Sequence, residues 1–407
     1  MKIPSYINIQ DFNYTLPEEK IARYPLESRD SSKLLYFKDG IIENRQFTEL
    51  PDLLTEQYHL IFNDTKVIQA RLLFKKQTGA IIEIFLLEPF LPSEYQLAFG
   101  SNHECVWKCL IGNAKKWKNE VLQLEISIGD QSTTLNAEHF KTEGTYFLIR
   151  FFWNNDKLCL SDIIESAGST PIPPYLNRKA EDSDSIRYQT VYSVNEGSVA
   201  APTAGLHFTD DIMELLEKKS ISQTKLTLHV GAGTFVPVKA ENARDHVMHA
   251  EHIYINRKSI ESLFKSEKKF IAIGTTSVRT LESLYHIAVR IKNGIDIRNE
   301  LSLEQWDAYN TSSSLSRKEC FESILFYMDE LKTDTFKMST RIMITPEYKF
   351  RMVDGIITNF HQPASTLLLL ISAYIGDDWK KVYNHALQNN YRFLSYGDSS
   401  LLMITKK

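Results

Sequence analysis

The chain has 407 residues, of which 43% are hydrophobic and 24% charged, with 16 Gly and 13 Pro. At roughly one domain per ~150 residues that length suits two or three domains with a sizeable core, and the composition excludes collagen-like, low-complexity and wholly disordered classes. The formal net charge of −4 lacks the overall basicity of a non-specific nucleic-acid binder, although it leaves room for a local basic groove.

Met1 to Gln10 lacks the apolar run of a signal peptide. Pro17-Glu18-Glu19-Lys20-Ile21-Ala22 predicts a short helix with Pro in its first turn. Lys33 to Lys38 predicts a strand that turns at Asp39-Gly40, and His59-Leu60-Ile61-Phe62 a buried strand ending at Asn63-Asp64. Short apolar or alternating runs then stand at 80–87, 106–111, 121–128 and 145–152, separated by Gly79, Gly112-Asn113, Gly129-Asp130 and Gly144. That spacing suits a small barrel or sandwich. The expected organisation is a main α/β domain, 1–71 plus 156–407, with an inserted small β-domain at 72–155. Cys105, Cys109, Cys159 and Cys320 form no C-x-x-C pair, which argues against a disulfide framework or a cysteine zinc site and fits a reducing cytoplasm.

Beyond residue 160 strands alternate with helices. A helix from Asp210 to Lys219 follows the N-cap candidate Thr209, and Thr224 to Val230 is a strand. Phe270 to Ile273 is a strand leading through Gly274-Thr275-Thr276-Ser277 into a helix from Val278 to Lys292. Residues 293–337 read as a helical excursion of two helices, because Ser302-Leu303-Glu304-Gln305 and Ser316-Arg317-Lys318-Glu319 both match the capping box. Met352 to Thr358 predicts a strand and Thr366 to Tyr374 a helix. The charge-free stretch from Thr366 to Gly376 is far short of the ~20 residues of a membrane span. Such alternation places ligands at strand–helix loops.

Five loop-like segments carry ionisable or hydroxyl groups. Asp64, followed by Lys66 and Arg71, could meet a ribose or an amine at a strand end. Ala200 to Phe208, with Thr203 and His207, lets backbone approach a ligand. Leu228 to Phe235 runs a strand through His229 into Gly231, Gly233 and Thr234; without a third Gly and an immediate helix it is no Rossmann loop, but a cradle for an adenosyl or purine group stays open. His246-Val247-Met248-His249-Ala250-Glu251-His252 admits a metal reading, an acid/base reading and a packing reading. Thr275, Thr276 and Ser277 at a helix start, with Arg279 one turn on, suit a carboxylate or a phosphate. Thr358 to Pro363, with His361, and Tyr396-Gly397-Asp398 have the same style. Around Trp117, Lys115, Lys116 and Lys118 are the best candidates for phosphate contact.

Taken together these strings resemble the S-adenosylmethionine:tRNA ribosyltransferase-isomerases of queuosine biosynthesis. The resemblance rests on Tyr24 to Asp30, Phe62 to Thr65, Pro173-Pro174-Tyr175, Tyr188 to Tyr192, Ala200 to Phe208, Leu228 to Phe235, Met248 to Glu251, Gly274 to Glu282, Thr358 to His361 and Tyr396 to Asp398, in the family's order. It implies a mixed, barrel-like α/β main domain with an inserted small all-β barrel. It implies tRNA bearing 7-aminomethyl-7-deazaguanine as one substrate and S-adenosylmethionine as ribosyl donor, a co-substrate with no separate cofactor and no metal. Adenine and methionine leave, and epoxyqueuosine forms. Under it His207, His229, His249, Glu251 and His361 supply acid/base groups, with Glu251 the first candidate for the base. Asp64, Arg71, Thr203, Gly231, Gly233, Thr234, Thr275, Thr276, Ser277, Arg279, Tyr396 and Asp398 contact substrates, and Lys115, Lys116 and Lys118 contact tRNA. The chain departs from the family's pattern at Ser169 and Thr170, at Arg341 and at Ala364. A relative that binds tRNA or S-adenosylmethionine without turnover, or with an altered substrate, therefore remains the alternative reading.

Overall fold

The computed structural model describes residues 6–118, 120–231, 240–294, 301–310 and 314–404. The expected strand at His59 runs from Tyr58 to Asn63 and is buried at every position. Period-two alternation sends Leu60 and Phe62 into the apolar layer on one face and Ile61 into the layer on the other. A strand covered on both faces belongs at a sheet centre. Parallel to it lie Ser222–His229 on one side and Lys269–Ile273 on the other, and Gly355–Asn359 pairs parallel with the latter. Ser399–Met403, Lys33–Lys38 and Ile41–Gln46 complete that side. On the opposite side Ser222–His229 pairs antiparallel with Glu251–Asn256, followed by Thr335–Thr340 and Ser302–Leu303, giving a ten-stranded mixed sheet.

A six-stranded antiparallel sheet is separate from it, in the order Arg71–Lys75, Ile81–Leu91, Glu104–Gly112, Tyr146–Phe152, Gln131–Glu143, Leu122–Ile128. Its first and last strands approach one another, so the sheet nearly closes into a barrel around Phe74, Trp107 and Phe151. The architecture is the expected one: a mixed α/β sheet domain and a small β-barrel. No helix among the described residues is long and apolar enough to cross a membrane.

The helix Gly274–Lys292 begins at Gly274, earlier than Val278. Val278, Leu281 and Leu284 join the core on one face of the sheet. Several of its polar residues are buried too and are tied to partners: Ser283 Oγ lies 2.8 Å from Thr340 Oγ1, and His286 Nε2 lies 2.9 Å from the Tyr348 hydroxyl. Glu282 accepts from the backbone N–H groups of Arg351, Met352 and Val353. That claim on the backbone accounts for the next strand starting at Gly355, later than Met352.

Two expected helices are absent. Pro17 to Ala22 forms only a 3-10 turn over Glu18–Lys20. Ser302-Leu303 lies in a two-residue strand beside Ser339-Thr340, so only the second capping box caps a helix. There the Ser316 Oγ accepts from the Glu319 N–H, and Arg317–Glu330 is helical.

Among the imidazoles that burial holds below the ordinary 6.5, His59 and His286 stand at about 4, and His207, His229 and His361 at about 3. Each stays neutral in the folded chain, while its unfolded counterpart takes up a proton below pH 6.5. Their contribution is complete above pH 6.5 and is lost as pH falls towards the folded values, by up to about 1.4 kcal/mol per pH unit for each group. The melting temperature is expected to fall steadily from pH 6.5 to 4.5 in a calorimetric series; a flat profile over that interval would contradict the burial of these rings.

Candidate active site

A pocket opens at the carboxyl edge of the parallel strands, where open α/β sheets hold ligands. Val230, just past Ser222–His229, lines it, as do Gly274 to Thr276 past Lys269–Ile273 and Thr358 to His361 at the end of Gly355–Asn359. The strand Glu251–Asn256 runs antiparallel to its neighbour, so its first residue, Glu251, stands at the same edge. Ala200 to Ala204, including Thr203, forms a further wall. Every lining residue belongs to segments outside the six-stranded barrel.

The charged centre is an ion pair between Glu251, 1% exposed, and Arg279, 6% exposed; Nη1 of Arg279 donates to Oε2 of Glu251. Burial alone would raise the Glu251 pKa, but the Arg279 charge and the His249 contact outweigh it and hold the carboxyl below its ordinary value. His249 Nε2 lies 3.3 Å from the other oxygen, Oε1, and its side chain is 24% exposed. The backbone at Gly231 packs on this ring: a Cβ there would stand 3.1 Å from His249 Cδ2. Gln305 fixes the approach, accepting from the Met248 N–H at 3.0 Å and donating to the His246 carbonyl at 2.7 Å. Nothing in the Ser302 to Gln305 string marks that role; it exists only because two segments 57 residues apart meet.

His361 lines the pocket with its Nε2 3.0 Å from Thr358 Oγ1, and its backbone N–H donates to the Tyr383 hydroxyl. His207 lies behind the wall. Its Nε2 accepts from the Asn359 amide at 3.1 Å and its Nδ1 stands 2.8 Å from Ser32 Oγ, so it holds Asn359, which does line the pocket. His229 points elsewhere: Nδ1 is 2.9 Å from Thr65 Oγ1 and the ring packs on Tyr95 at 4.4 Å, at the joint with the barrel. Gly197 is required at that joint, since its φ is 143° and a Cβ would meet His229 Cε1 at 2.7 Å.

The remaining expected site residues divide in the same way. Thr203, Thr275, Thr276 and Arg279 line the pocket, whereas Ser277 Oγ donates to the Ile273 carbonyl and closes the helix start. Asp64 accepts from Thr227 Oγ1 at 2.6 Å and from the Asn195 amide at 3.1 Å, knitting strand ends; burial pushes its pKa up despite those bonds. Arg71 pairs with Glu83 on the barrel. The Tyr396 hydroxyl donates to Asp184, and Asp398 accepts from the N–H groups of Arg392 and Lys33. Gly233 and Thr234 lie outside the described residues. Lys115, Lys116 and Lys118 are exposed on the barrel, between Glu104–Gly112 and Leu122–Ile128. Among the described residues no three His, Cys, Asp or Glu side chains gather as a metal site.

The departures from the family pattern can also be placed. Arg341 pairs with Glu304 at the surface, Ser169 bridges to Arg71, and Thr170 lines a different cleft. Of the four, Ala364 alone lines the pocket.

A family described as queuosine biosynthesis protein matches residues 9–402. A protein of Treponema denticola named S-adenosylmethionine:tRNA ribosyltransferase-isomerase is 36% identical over 97% of this chain and 99% of its own length. One of the same name from Nitrosospira multiformis is 35% identical, over 97% of this chain and 98% of its own. A crystal structure of an S-adenosylmethionine tRNA ribosyltransferase from Thermotoga maritima is 26% identical with a TM-score of 0.46, covering 97% of this chain and 100% of that one.

Proposed function

The chain belongs to the queuosine biosynthesis protein family, and from that premise we propose that it moves and isomerises the ribosyl group of S-adenosylmethionine onto 7-aminomethyl-7-deazaguanine in tRNA, giving epoxyqueuosine and releasing adenine and methionine. The observation that carries this reading is the joining of His249, Glu251, Arg279 and His361 in one pocket at the carboxyl edge of the sheet. The reaction needs a base for the acidic carbon beside the sulfonium, a neutral amine on the incoming tRNA base and a proton donor for departing adenine. An ionised Glu251 accepting from Nε2 of His249 leaves the other ring nitrogen as the basic position. His249 therefore takes the role of proton acceptor, with Glu251 as the residue that positions it. Three of the four departures stand away from the pocket, which favours turnover over silent binding.

Incubation with S-adenosylmethionine and tRNA carrying the aminomethyl-deazaguanine should release free adenine in step with tRNA modification. No release under conditions where a Treponema denticola relative works would remove the reading, and ligand binding without release would support the non-catalytic alternative.

The exposed lysines on the barrel suit a tRNA phosphate contact remote from the pocket. Replacing Lys115, Lys116 and Lys118 together by Ala should weaken tRNA binding and flatten the dependence of log Kd on log salt by up to about three phosphate equivalents. An unchanged slope would place the footprint elsewhere.

A further inference from the structure

Arg279 spends only one arm on Glu251. Its Nε and Nη2, and the Thr276 Oγ1 one turn earlier on the same helix, have no hydrogen-bond partner among the described residues. Both residues line the pocket, and Arg279 is 94% buried, being 6% exposed. Buried donors left unmade are costly, so a ligand that supplies acceptors here gains bonds that the described residues do not offer these donors. Nε–H and Nη2–H lie along one edge of a planar guanidinium, the fork that takes a carboxylate through two parallel bonds. Thr276 lies in the first turn of the 19-residue helix Gly274–Lys292, one turn before Arg279; the first N–H groups of that helix have no intrahelical acceptor and its dipole favours an anion.

We propose that this edge of Arg279, with the Thr276 hydroxyl, seats the carboxylate of the amino-acid end of the donor. The assignment rests on S-adenosylmethionine being that donor. Charge separates a carboxylate from a phosphate at this place. The Arg279–Glu251 pair is net neutral, so a phosphate dianion would meet the Glu251 charge uncompensated, whereas an amino acid brings its own ammonium and the sulfonium to that side. A complementary acceptor waits on another wall. Asn359, 3% exposed, gives its amide N–H to His207, and its Oδ1 has no partner among the described residues, so it suits a ligand N–H.

The test is calorimetric binding of S-adenosylmethionine and of its decarboxylated analogue, which keeps the sulfonium, ammonium and adenosyl groups. Wild-type protein should bind the carboxylate-bearing compound at least ~10-fold more tightly. Arg279→Gln should abolish that preference. Because this change also unpairs Glu251 and can impair folding, Thr276→Val is the second variant. It should shrink the ratio ~3-fold or more while the affinity for the decarboxylated compound stays put. Equal binding of the two compounds by wild-type protein, or an unchanged ratio in Thr276→Val, overturns the carboxylate seat and leaves the functional reading standing. Failure to bind either compound overturns both.

Discussion

Glu251→Gln is expected to cost at least ~100-fold in turnover and about 3–5 kcal/mol in stability. The stability loss follows from geometry: the carboxylate is 1% exposed, and its removal strands the Arg279 charge in the interior. The turnover loss follows from the other oxygen, which fixes the His249 ring at 3.3 Å. The two effects are separable. Removing both charges, as in Glu251→Gln with Arg279→Met, should recover much of the stability, because an apolar substitute for a buried ion pair is often near neutral. Turnover should stay low in that double variant. The folded-state pKa of Glu251 is depressed, so the contribution of the pair is present at neutral pH and lost as pH falls through the folded value. Urea titrations and adenine-release rates read the two effects independently. Near-normal turnover of Glu251→Gln would remove the positioning role of Glu251 and with it the argument for His249 as acceptor, leaving His361, which lines the pocket, and not His229, which does not.

Glu282→Ala should destabilise the chain by at least about 3 kcal/mol without touching the pocket lining. One carboxylate there accepts from three backbone N–H groups, those of Arg351, Met352 and Val353, and from the Tyr348 hydroxyl at 2.8 Å. Met352 and Val353 are fully buried, so their N–H groups would find no water in exchange. Glu282→Gln should recover little, because one end of the amide would present a donor to donors. The segment anchored by Glu282 leads directly into Gly355–Asn359, which carries Thr358 and Asn359 to the pocket. An unfolding free energy within a few tenths of a kcal/mol of wild type for both variants would refute this anchoring role.

The alternating and apolar runs made the sheet legible. Lys33–Lys38, Tyr58–Asn63 and Lys269–Ile273 sit within a residue of where their patterns end. Thr335–Thr340 and Ser399–Met403 gave no such signal, because short strands rich in Ser and Thr mimic loops. The candidate site was legible only as a meeting place of loops that end strands: Val230, His249, Thr275 and His361 line one pocket. It was illegible where a polar residue serves the scaffold. Asp64, His229, Ser277, Tyr396 and Asp398 look like ligand contacts in sequence, yet each spends its hydrogen bonds on neighbouring strands, helix turns or loops. Gln305 and Asn359 are the converse: their roles arise from long-range pairing, which no local pattern encodes.

In the proposed reaction the donor gives up its ribosyl group and not its methyl group. S-adenosylmethionine labelled differently in the ribose and in the methyl group, incubated with the protein and the aminomethyl-deazaguanine tRNA, tests it in one reaction. The expected result is ribose label in the tRNA and methyl label in free methionine. Methyl label in the tRNA, with the ribose label left on a released nucleoside, would contradict it.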